Sequence, residues 1–115
     1  MSSIKLIKNI IELKDLIKDN ELVLINCGLT FCAPCKRIAS DYEKLCEKYQ
    51  SVVFCKIILD ELDEKNEDYI KKYLNLTKYP SFTIMNNGNN IEHIIGPQLD
   101  KVKNLLETMT GNDEF

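Results

Sequence analysis

Apolar and polar positions alternate along the chain between two kinds of segment. Continuous apolar runs at Leu22 to Cys27 and at Val52 to Leu59 are typical of strands that are buried on both faces. Between them, apolar residues recur at steps of three and four, which predicts one amphipathic helix from about Cys32 to about Tyr49. The apolar stripe of that helix consists of Cys35, Ile38, Ala39, Tyr42, Leu45, Cys46 and Tyr49.

Local signals delimit the elements at the start of the chain. Ser3 to Ile7 is a short strand candidate. Asn9 followed by Glu12 is typical of a capped helix start, and Asp19-Asn20 ends the helix that follows.

The second half of the chain predicts two further helices and a hairpin. The acidic stretch Asp60 to Asp68 is interpreted as a solvated loop that leads into a helix, on which Tyr69 and Tyr73 are expected to be core or half-core residues. Asn87-Gly88 predicts a two-residue hairpin turn, because both central positions of a type I′ turn need positive φ. The predicted strands on either side are Ser81 to Met85 and Ile91 to Ile95, and the last helix is Leu99 to Met109.

The resulting order is βαβαβαββα, which predicts an α/β fold with parallel crossovers and a late antiparallel hairpin. We expect a central mixed sheet of about five strands flanked by about four helices. The length predicts one domain over residues 1–115, with its core at about 4–109 and a frayed acidic tail from Gly111 to Phe115.

Composition narrows the classes of partner and location. The chain is 44% hydrophobic and 29% charged with a net charge of -3, so nucleic acid and anionic membrane are poor partner candidates. No apolar run approaches the roughly 20 residues of a membrane span. Lys5 and Lys8 interrupt the apolar start of the chain, unlike a secretory signal. A cytoplasmic location is expected, or an organelle if a targeting segment had been removed.

Candidate chemistry lies where the first buried strand meets the long helix. Cys32 is predicted at the helix N-terminus, where unpaired N–H groups favour a thiolate, and Cys35 follows one turn later, close enough for a disulfide. Pro34 is tolerated in a first helical turn, and Lys36 adds a positive charge. The pattern predicts a reactive dithiol.

The other cysteines change this interpretation little. Five cysteines form only one pair with motif spacing, which favours a reducing compartment over a disulfide scaffold. A zinc site would need about four ligands. No second paired motif is supplied by Cys27, Cys46, Cys55 or His93. Neither a metal nor a bound cofactor is therefore expected. The alternative to a reactive dithiol is that Cys32 and Cys35 form a structural pair in a binding module.

From about Ile4 to Met109 the chain resembles the thioredoxin family. The resemblance is carried by Phe31-Cys32-Ala33-Pro34-Cys35-Lys36, Lys56, Pro80, Asn87-Gly88 and Gly96. It implies the thioredoxin fold and a protein disulfide oxidoreductase whose redox-active group is a Cys32–Cys35 disulfide. Protein disulfides would be the substrates, an upstream thioredoxin-reductase-like flavoprotein or glutathione would be the electron donor, and the protein would be a monomer.

The resemblance also implies roles for single residues. Cys32 would attack the substrate disulfide and Cys35 would resolve the mixed disulfide. Pro80 would be a cis-proline facing the pair, with the backbone of Tyr79 pairing with an extended substrate segment. Gly96 would keep the rim low for the approach of the substrate.

Departures from the family motif qualify these expectations. Asn26 stands where the family has a buried Asp, and an amide cannot act as a general base, so resolution by Cys35 would be slower and the redox poise shifted. Gly28 and Phe31 replace two family tryptophans, which reshapes the rim around Ala33-Pro34. Ser40 replaces a kinking proline, which predicts a straighter helix.

Several alternatives stay open at this point. Lys56 is either a charged neighbour of the site or a surface lysine whose stem lies along apolar surface. The enzyme could run in the other direction, as an isomerase or oxidant whose poise is set by Asn26 and Ala33-Pro34. A binding or redox-sensing module with low turnover is the alternative from another class.

Overall fold

The computed structural model describes residues 3–111, so the predicted tail beyond Gly111 lies outside the described residues. The strands are β1 (Lys5–Leu6), β2 (Leu22–Gly28), β3 (Val53–Ile58), β4 (Ser81–Asn86) and β5 (Asn89–Ile95). The α-helices are α1 (Ile10–Asp19), α2 (Ala33–Arg37), α3 (Ala39–Lys48), α4 (Glu64–Leu74) and α5 (Leu99–Thr110), with a 3₁₀ turn at Leu59–Glu61.

The strands form one mixed sheet in the order β1-β3-β2-β4-β5. The pairings of β1 and β2 with β3 are parallel, whereas β4 runs antiparallel to both β2 and β5. The prediction of parallel crossovers is therefore wrong for the third one. Ser81 pairs with Cys27, so α4 and the segment after it return the chain to the edge where β2 ends, and β4 starts there. The alternation of strands and helices along the sequence does not reveal whether β4 runs parallel or antiparallel to β2.

Each face of the sheet carries its own apolar cluster. On one face, Tyr42 and Leu45 of α3 and Val102 and Leu106 of α5 pack on Leu24 and its neighbours. On the other face, Leu13 and Ile17 of α1 and Ile70 and Leu74 of α4 pack on Val23, Ile25 and Ile57. Burying both faces explains why β2 and β3 are continuously apolar rather than alternating.

Local signals fix the ends of several elements as predicted. Asn9 caps α1 by accepting a hydrogen bond from the Glu12 N–H at 2.9 Å. Asp63 caps α4 in the same way through the Asn66 N–H at 2.8 Å. Asn87 and Gly88 both adopt positive φ, at 52° and 83°, so the hairpin turn between β4 and β5 is confirmed.

The predicted helix from Cys32 to Tyr49 is two helices, and the expectation of a straighter helix is wrong. Ile38 separates α2 from α3 with φ −90° and ψ −5°, away from helical ψ values. Its side chain is buried in the cluster around Tyr42. The apolar spacing is the same on both sides of this bend, so the sequence pattern could not reveal it.

Two tyrosines of α4 are exposed, although they were predicted to be core or half-core residues. Tyr69 and Tyr73 are 56% and 40% exposed. Lys14 of α1 lies over both rings, with its Nζ atom 6.0 Å and 5.3 Å from their centroids. Lys14 therefore covers rings that the sheet does not bury.

Candidate active site

The two motif cysteines are joined at the point where β2 leads into α2. Cys32 and Cys35 form a disulfide with their Cα atoms 5.2 Å apart. Cys32 is the residue before the helix, and its Sγ atom accepts a hydrogen bond from the Cys35 N–H at 3.2 Å. Cys32 is half-buried, whereas Cys35 is only 9% exposed. The pair is therefore asymmetric, with one sulfur accessible and the other covered.

Gly28 allows the buried sulfur to lie close to the sheet. A Cβ atom on Gly28 would lie 3.1 Å from Cys35 Sγ, a contact tighter than nine in ten real Cβ contacts, so one of the two atoms would have to shift. Pro34 lies within the first turn of α2, where its missing N–H leaves no hydrogen bond unmade. The family resemblance marked Gly28 only as the replacement of a tryptophan, so its contact with Cys35 was not predicted.

The loop before Cys32 is held by an aspartate from the turn after β3. Asp60 accepts hydrogen bonds from the Thr30 N–H at 2.9 Å and from the Thr30 hydroxyl. These two bonds lower the pKa of the exposed Asp60 carboxyl below its ordinary value. Asp60 belongs to the acidic stretch interpreted as a solvated loop, so its link to Thr30 was not predicted.

Pro80 and Gly96 lie together at the same edge of the sheet. The Tyr79–Pro80 peptide is cis, as the resemblance implied. The Gly96 N–H donates to the Pro80 carbonyl at 2.7 Å, and Gly96 itself has φ 94°, which favours glycine. Ser81, the next residue, pairs with Cys27 near the end of β2. The segment from Tyr79 to Ser81 thus starts β4 where β2 delivers the cysteine motif.

Asn26 lies buried beneath the motif, on the face of the sheet that α2 covers. It is 3% exposed, and its side-chain Nδ2 donates to the Ser81 carbonyl at 3.2 Å. Lys56 of β3 is its register partner in the parallel pair. Both residues line a surface cavity of about 470 Å³ that also reaches Cys35 and Lys36. Lys56 therefore adjoins the site instead of standing apart from it.

Phe31 is 96% exposed immediately before Cys32, and Ala33 is exposed immediately after it. The rim around the motif therefore includes one projecting aromatic ring. Asn26, Lys36 and Lys56 line the same cavity as Cys35. Pro80 and Gly96 are linked by a backbone hydrogen bond.

The three remaining cysteines are buried and free, and none belongs to the site. Burial raises the pKa of Cys27 to about 12 and holds that of Cys55 well above its ordinary value. Such thiols stay protonated and unreactive near neutral pH. His93 shares a hydrogen bond with Thr83 at 2.8 Å between its Nδ1 and the hydroxyl.

Between residues 3 and 111, no group of three or more His, Cys, Asp or Glu side chains is placed to hold a metal ion. Over the same residues, none of the helices is both long and apolar enough to cross a membrane.

Comparisons with known proteins agree with this geometry. The family model described as Thioredoxin matches residues 6–110. Thioredoxin 1 of Plasmodium falciparum is 33% identical over 104 residues, covering 90% of this chain and 95% of that protein. A solved structure of Plasmodium falciparum thioredoxin superposes with a TM-score of 0.82 at 30% identity, covering 91% of this chain and 98% of the other.

A second solved structure concerns the thiol resolving mechanism in yeast mitochondrial 1-Cys peroxiredoxin via glutathione/thioredoxin systems. It superposes with a TM-score of 0.83 at 28% identity and covers 94% of this chain and 99% of that chain. The fold predicted from the resemblance is confirmed, and the match of the family model over residues 6–110 together with the paired cysteines leads to one conclusion. This chain belongs to the thioredoxin family and is a thiol–disulfide oxidoreductase.

Proposed function

We propose that this protein reduces disulfides in other proteins, with Cys32 as the nucleophile and Cys35 as the resolving thiol. The observation that carries the proposal is the hydrogen bond from the Cys35 N–H to Cys32 Sγ, together with the unequal exposure of the two residues. A donor aimed at sulfur stabilises the thiolate, which is the reactive form of cysteine. The accessible sulfur is thus the one prepared to attack.

The reaction follows from this asymmetry. The Cys32 thiolate attacks one sulfur of a substrate disulfide, forms a mixed disulfide and expels the other substrate sulfur as a thiolate. Cys35 then loses its proton and attacks Cys32 Sγ, which releases the second substrate thiolate. Two electrons pass to the substrate, and the protein is left with the Cys32–Cys35 disulfide seen here.

The rim around Cys32 supplies the substrate contacts in this proposal. Phe31 offers an exposed ring, and Ala33 and Pro34 form a low surface beside it. The backbone of Tyr79, the residue before Pro80, would pair with an extended substrate segment, as the family resemblance implies. Gly96 has no side chain to block that segment.

The residues around the buried Cys35 support slow attack of its thiol on the mixed disulfide. Asn26, Lys36 and Lys56 line one cavity with Cys35, and none of them is a carboxylate that could take a proton from the Cys35 thiol. The absence of a buried negative charge also favours the thiolate forms and shifts the redox poise. Asn26 is therefore the specific feature that favours the second candidate, an isomerase or oxidant.

The Cys32–Cys35 disulfide would be reduced again by a thioredoxin-reductase-like flavoprotein or by glutathione. The buried, free thiols of Cys27, Cys46 and Cys55 support a reducing compartment, which favours the cytoplasm. The monomer is carried over from the family resemblance.

The test is turnover of a generic protein disulfide with excess small dithiol. We expect Cys32→Ser to lower the rate to that of the dithiol alone, because the attacking sulfur is gone. In a separate incubation with the protein disulfide and no dithiol, reduced Cys35→Ser should accumulate a mixed disulfide through Cys32, visible as an added mass on the intact protein. Cys46→Ala, which removes a buried cysteine outside the site, should keep wild-type turnover.

Wild-type turnover no faster than the dithiol alone would overturn the reductase proposal. A reduction potential at or above that of the glutathione pool, measured against a glutathione series, would favour the isomerase instead.

A further inference from the structure

The turn between β5 and α5 is tied to the segment that begins β4. The Gly96 N–H donates a hydrogen bond to the Pro80 carbonyl at 2.7 Å. Pro80 follows Tyr79, whose backbone would pair with a substrate segment in the proposed function. The position of Gly96 constrains the Pro80 carbonyl, so a residue that fixes Gly96 also acts on the part of the rim that would receive the substrate.

Gln98 holds this turn through both its backbone and its side chain. Its backbone N–H donates to the Gly96 carbonyl at 2.8 Å, across Pro97. Its side-chain Nε2 donates to the Ile95 carbonyl at 2.6 Å. The side-chain amide also lies over Gly96, because a Cβ atom on Gly96 would be 3.8 Å from Gln98 Nε2. One residue thus closes the turn with two hydrogen bonds and a contact.

Gln98 is also the residue before α5, but its side chain does not cap that helix. Residues at this position are usually Ser, Thr, Asp or Asn, whose short side chains accept hydrogen bonds from the first N–H groups of the helix. Gln98 makes no such bond, and its side chain turns back to Ile95 instead. The start of the helix therefore does not account for a glutamine here, whereas closure of the preceding turn does.

The carbonyl of Gln98 connects the turn to the core of the protein. It accepts hydrogen bonds from the Lys101 N–H at 3.1 Å and from the Val102 N–H at 3.3 Å. Val102 is fully buried in the cluster under α5, together with Leu106 one turn later. Gln98 thus joins a helix that the core holds in place to a turn that holds Pro80.

We propose that Gln98 is a positioning residue for disulfide reduction, which restrains Gly96 and Pro80 in the arrangement that receives an extended protein substrate. The inference rests on the proposed reductase function and adds a residue that acts through the turn rather than on the cysteines. Without the side-chain hydrogen bond, the turn is less restrained, and the substrate has to order it on binding. That cost weakens substrate binding and leaves the exchange between sulfurs unchanged.

The test is Gln98→Glu, which keeps the size of the side chain but removes its N–H donor. With insulin as the protein disulfide and excess small dithiol, we expect KM to rise about threefold to tenfold, the factor that corresponds to one hydrogen bond. The kcat should stay within about twofold of wild type. Bis(2-hydroxyethyl) disulfide has no peptide backbone to pair with Tyr79, so the variant should reduce it at the wild-type rate.

Gln50 provides a matched control. Its Nε2 also donates to the carbonyl three residues earlier, that of Glu47, at 3.2 Å. Gln50 is exposed like Gln98, but it precedes the start of β3, at the edge of the sheet opposite to the cysteine motif. Gln50→Glu adds the same charge and should keep KM for insulin within about twofold of wild type. Hydrogen exchange of the Gly96 N–H, followed by NMR, should be about threefold to tenfold faster in Gln98→Glu and unchanged in Gln50→Glu.

An unchanged KM for insulin in the folded Gln98→Glu variant would overturn the proposal. So would an equal rise in KM with Gln50→Glu, an equal loss of rate with the small disulfide, or unchanged exchange of the Gly96 N–H. Exchange is measured without turnover, so it decides whether Gln98 holds the turn even if the wild type fails to reduce insulin. That failure would overturn the reductase proposal, so the two proposals can fail separately.

Discussion

The layer between the sheet and helices α2 and α3 is closed at one end and open at the other. At the closed end, the Tyr42 hydroxyl donates to the Cys55 carbonyl at 2.8 Å and approaches the Leu24 carbonyl at 3.2 Å. Its ring lies 5.3 Å from Phe54 and 5.8 Å from Phe82, between centroids. At the open end, two residues further along β2, Asn26 faces a cavity and a reactive disulfide.

The two ends differ in how they treat buried polar atoms. Tyr42 satisfies its hydroxyl inside the protein, on the carbonyls of Leu24 and Cys55. Asn26 donates to the Ser81 carbonyl and lines the cavity, and the missing side chain of Gly28 lets Cys35 Sγ lie close to the sheet. Stability and chemistry are thus concentrated at opposite ends of the same layer, which can be tested by substitution at each.

Tyr42→Ala should have the largest effect, because it removes the largest side chain from the closed end. We expect a loss of about 3–5 kcal/mol in the free energy of unfolding, measured by urea denaturation. Tyr73→Ala, at an exposed ring, should cost less than about 1 kcal/mol. Equal losses in the two variants would show that the closed end carries no special share of stability.

Asn26→Asp should sharpen the comparison at the open end. A carboxylate beneath the motif opposes a second negative charge and so should raise the pKa of the Cys35 thiol. It should also speed release of the mixed disulfide, since a base is then available. The pKa is measured from the pH dependence of the Cys35 ¹³Cβ shift in the reduced protein.

The matched control is Asn90→Asp, which adds the same charge at an exposed position near the other end of the sheet. If Asn26→Asp changes neither the thiol pKa values nor turnover, the proposed role of Asn26 is wrong.

Tyr42→Phe isolates the hydroxyl of the closed end. Burial holds the pKa of Tyr42 well above its ordinary value, so the group remains a donor throughout the neutral range. Its removal should cost about 1 kcal/mol in unfolding free energy, the net worth of one internal hydrogen bond. Turnover at the open end should not change. A slowed turnover would mean that the two ends are coupled.

Thr30→Val should have the smallest effect, at the loop beside the open end. The Thr30 hydroxyl is the main cause of the low pKa of Asp60, so that pKa should rise toward its ordinary value of about 3.9 in the variant. Because the folded pKa is depressed, the stabilisation from this carboxylate is present above about pH 4 and is lost as pH falls through the folded pKa.

Carboxyl NMR titration measures the midpoint of Asp60, with Asp63 as an internal control. Asp63 is lowered instead by its own cap contacts with Asn66, so its midpoint should not move. An unchanged Asp60 midpoint would indicate that the Thr30 hydroxyl does not hold the carboxylate in solution.

Local patterns predicted most of the elements because the interactions that set them lie within a few residues. Asn9 and Asn87-Gly88 specify a cap and a turn through their own backbone and side chains. The bend at Ile38 and the exposure of Tyr69 and Tyr73 depend on what packs against them from elsewhere in the chain. Apolar residues recur at steps of three or four whether the helix is straight or bent, and whether a tyrosine is covered or exposed.

The candidate site divides in the same way. The spacing of Cys32 and Cys35 and the helix start between them predict a reactive pair, because both are local properties. The predicted roles of Tyr79, Pro80 and Gly96 came through family resemblance and stay predictions. The hydrogen bond between Gly96 and Pro80, and that between Thr30 and Asp60, join residues far apart in the chain, and no local pattern announces them.

By itself, the sequence determined the element order, the fold class and the chemistry of the cysteine pair, since periodicity, capping and motif spacing act over short stretches. Only the tertiary structure decided the antiparallel direction of β4, the bend at Ile38 and the cavity that joins Asn26, Lys56 and Cys35. These features depend on which strands become neighbours and how closely the helices approach them. Strand neighbours and close packing are set by the whole chain at once, because burying one face constrains every element that covers it.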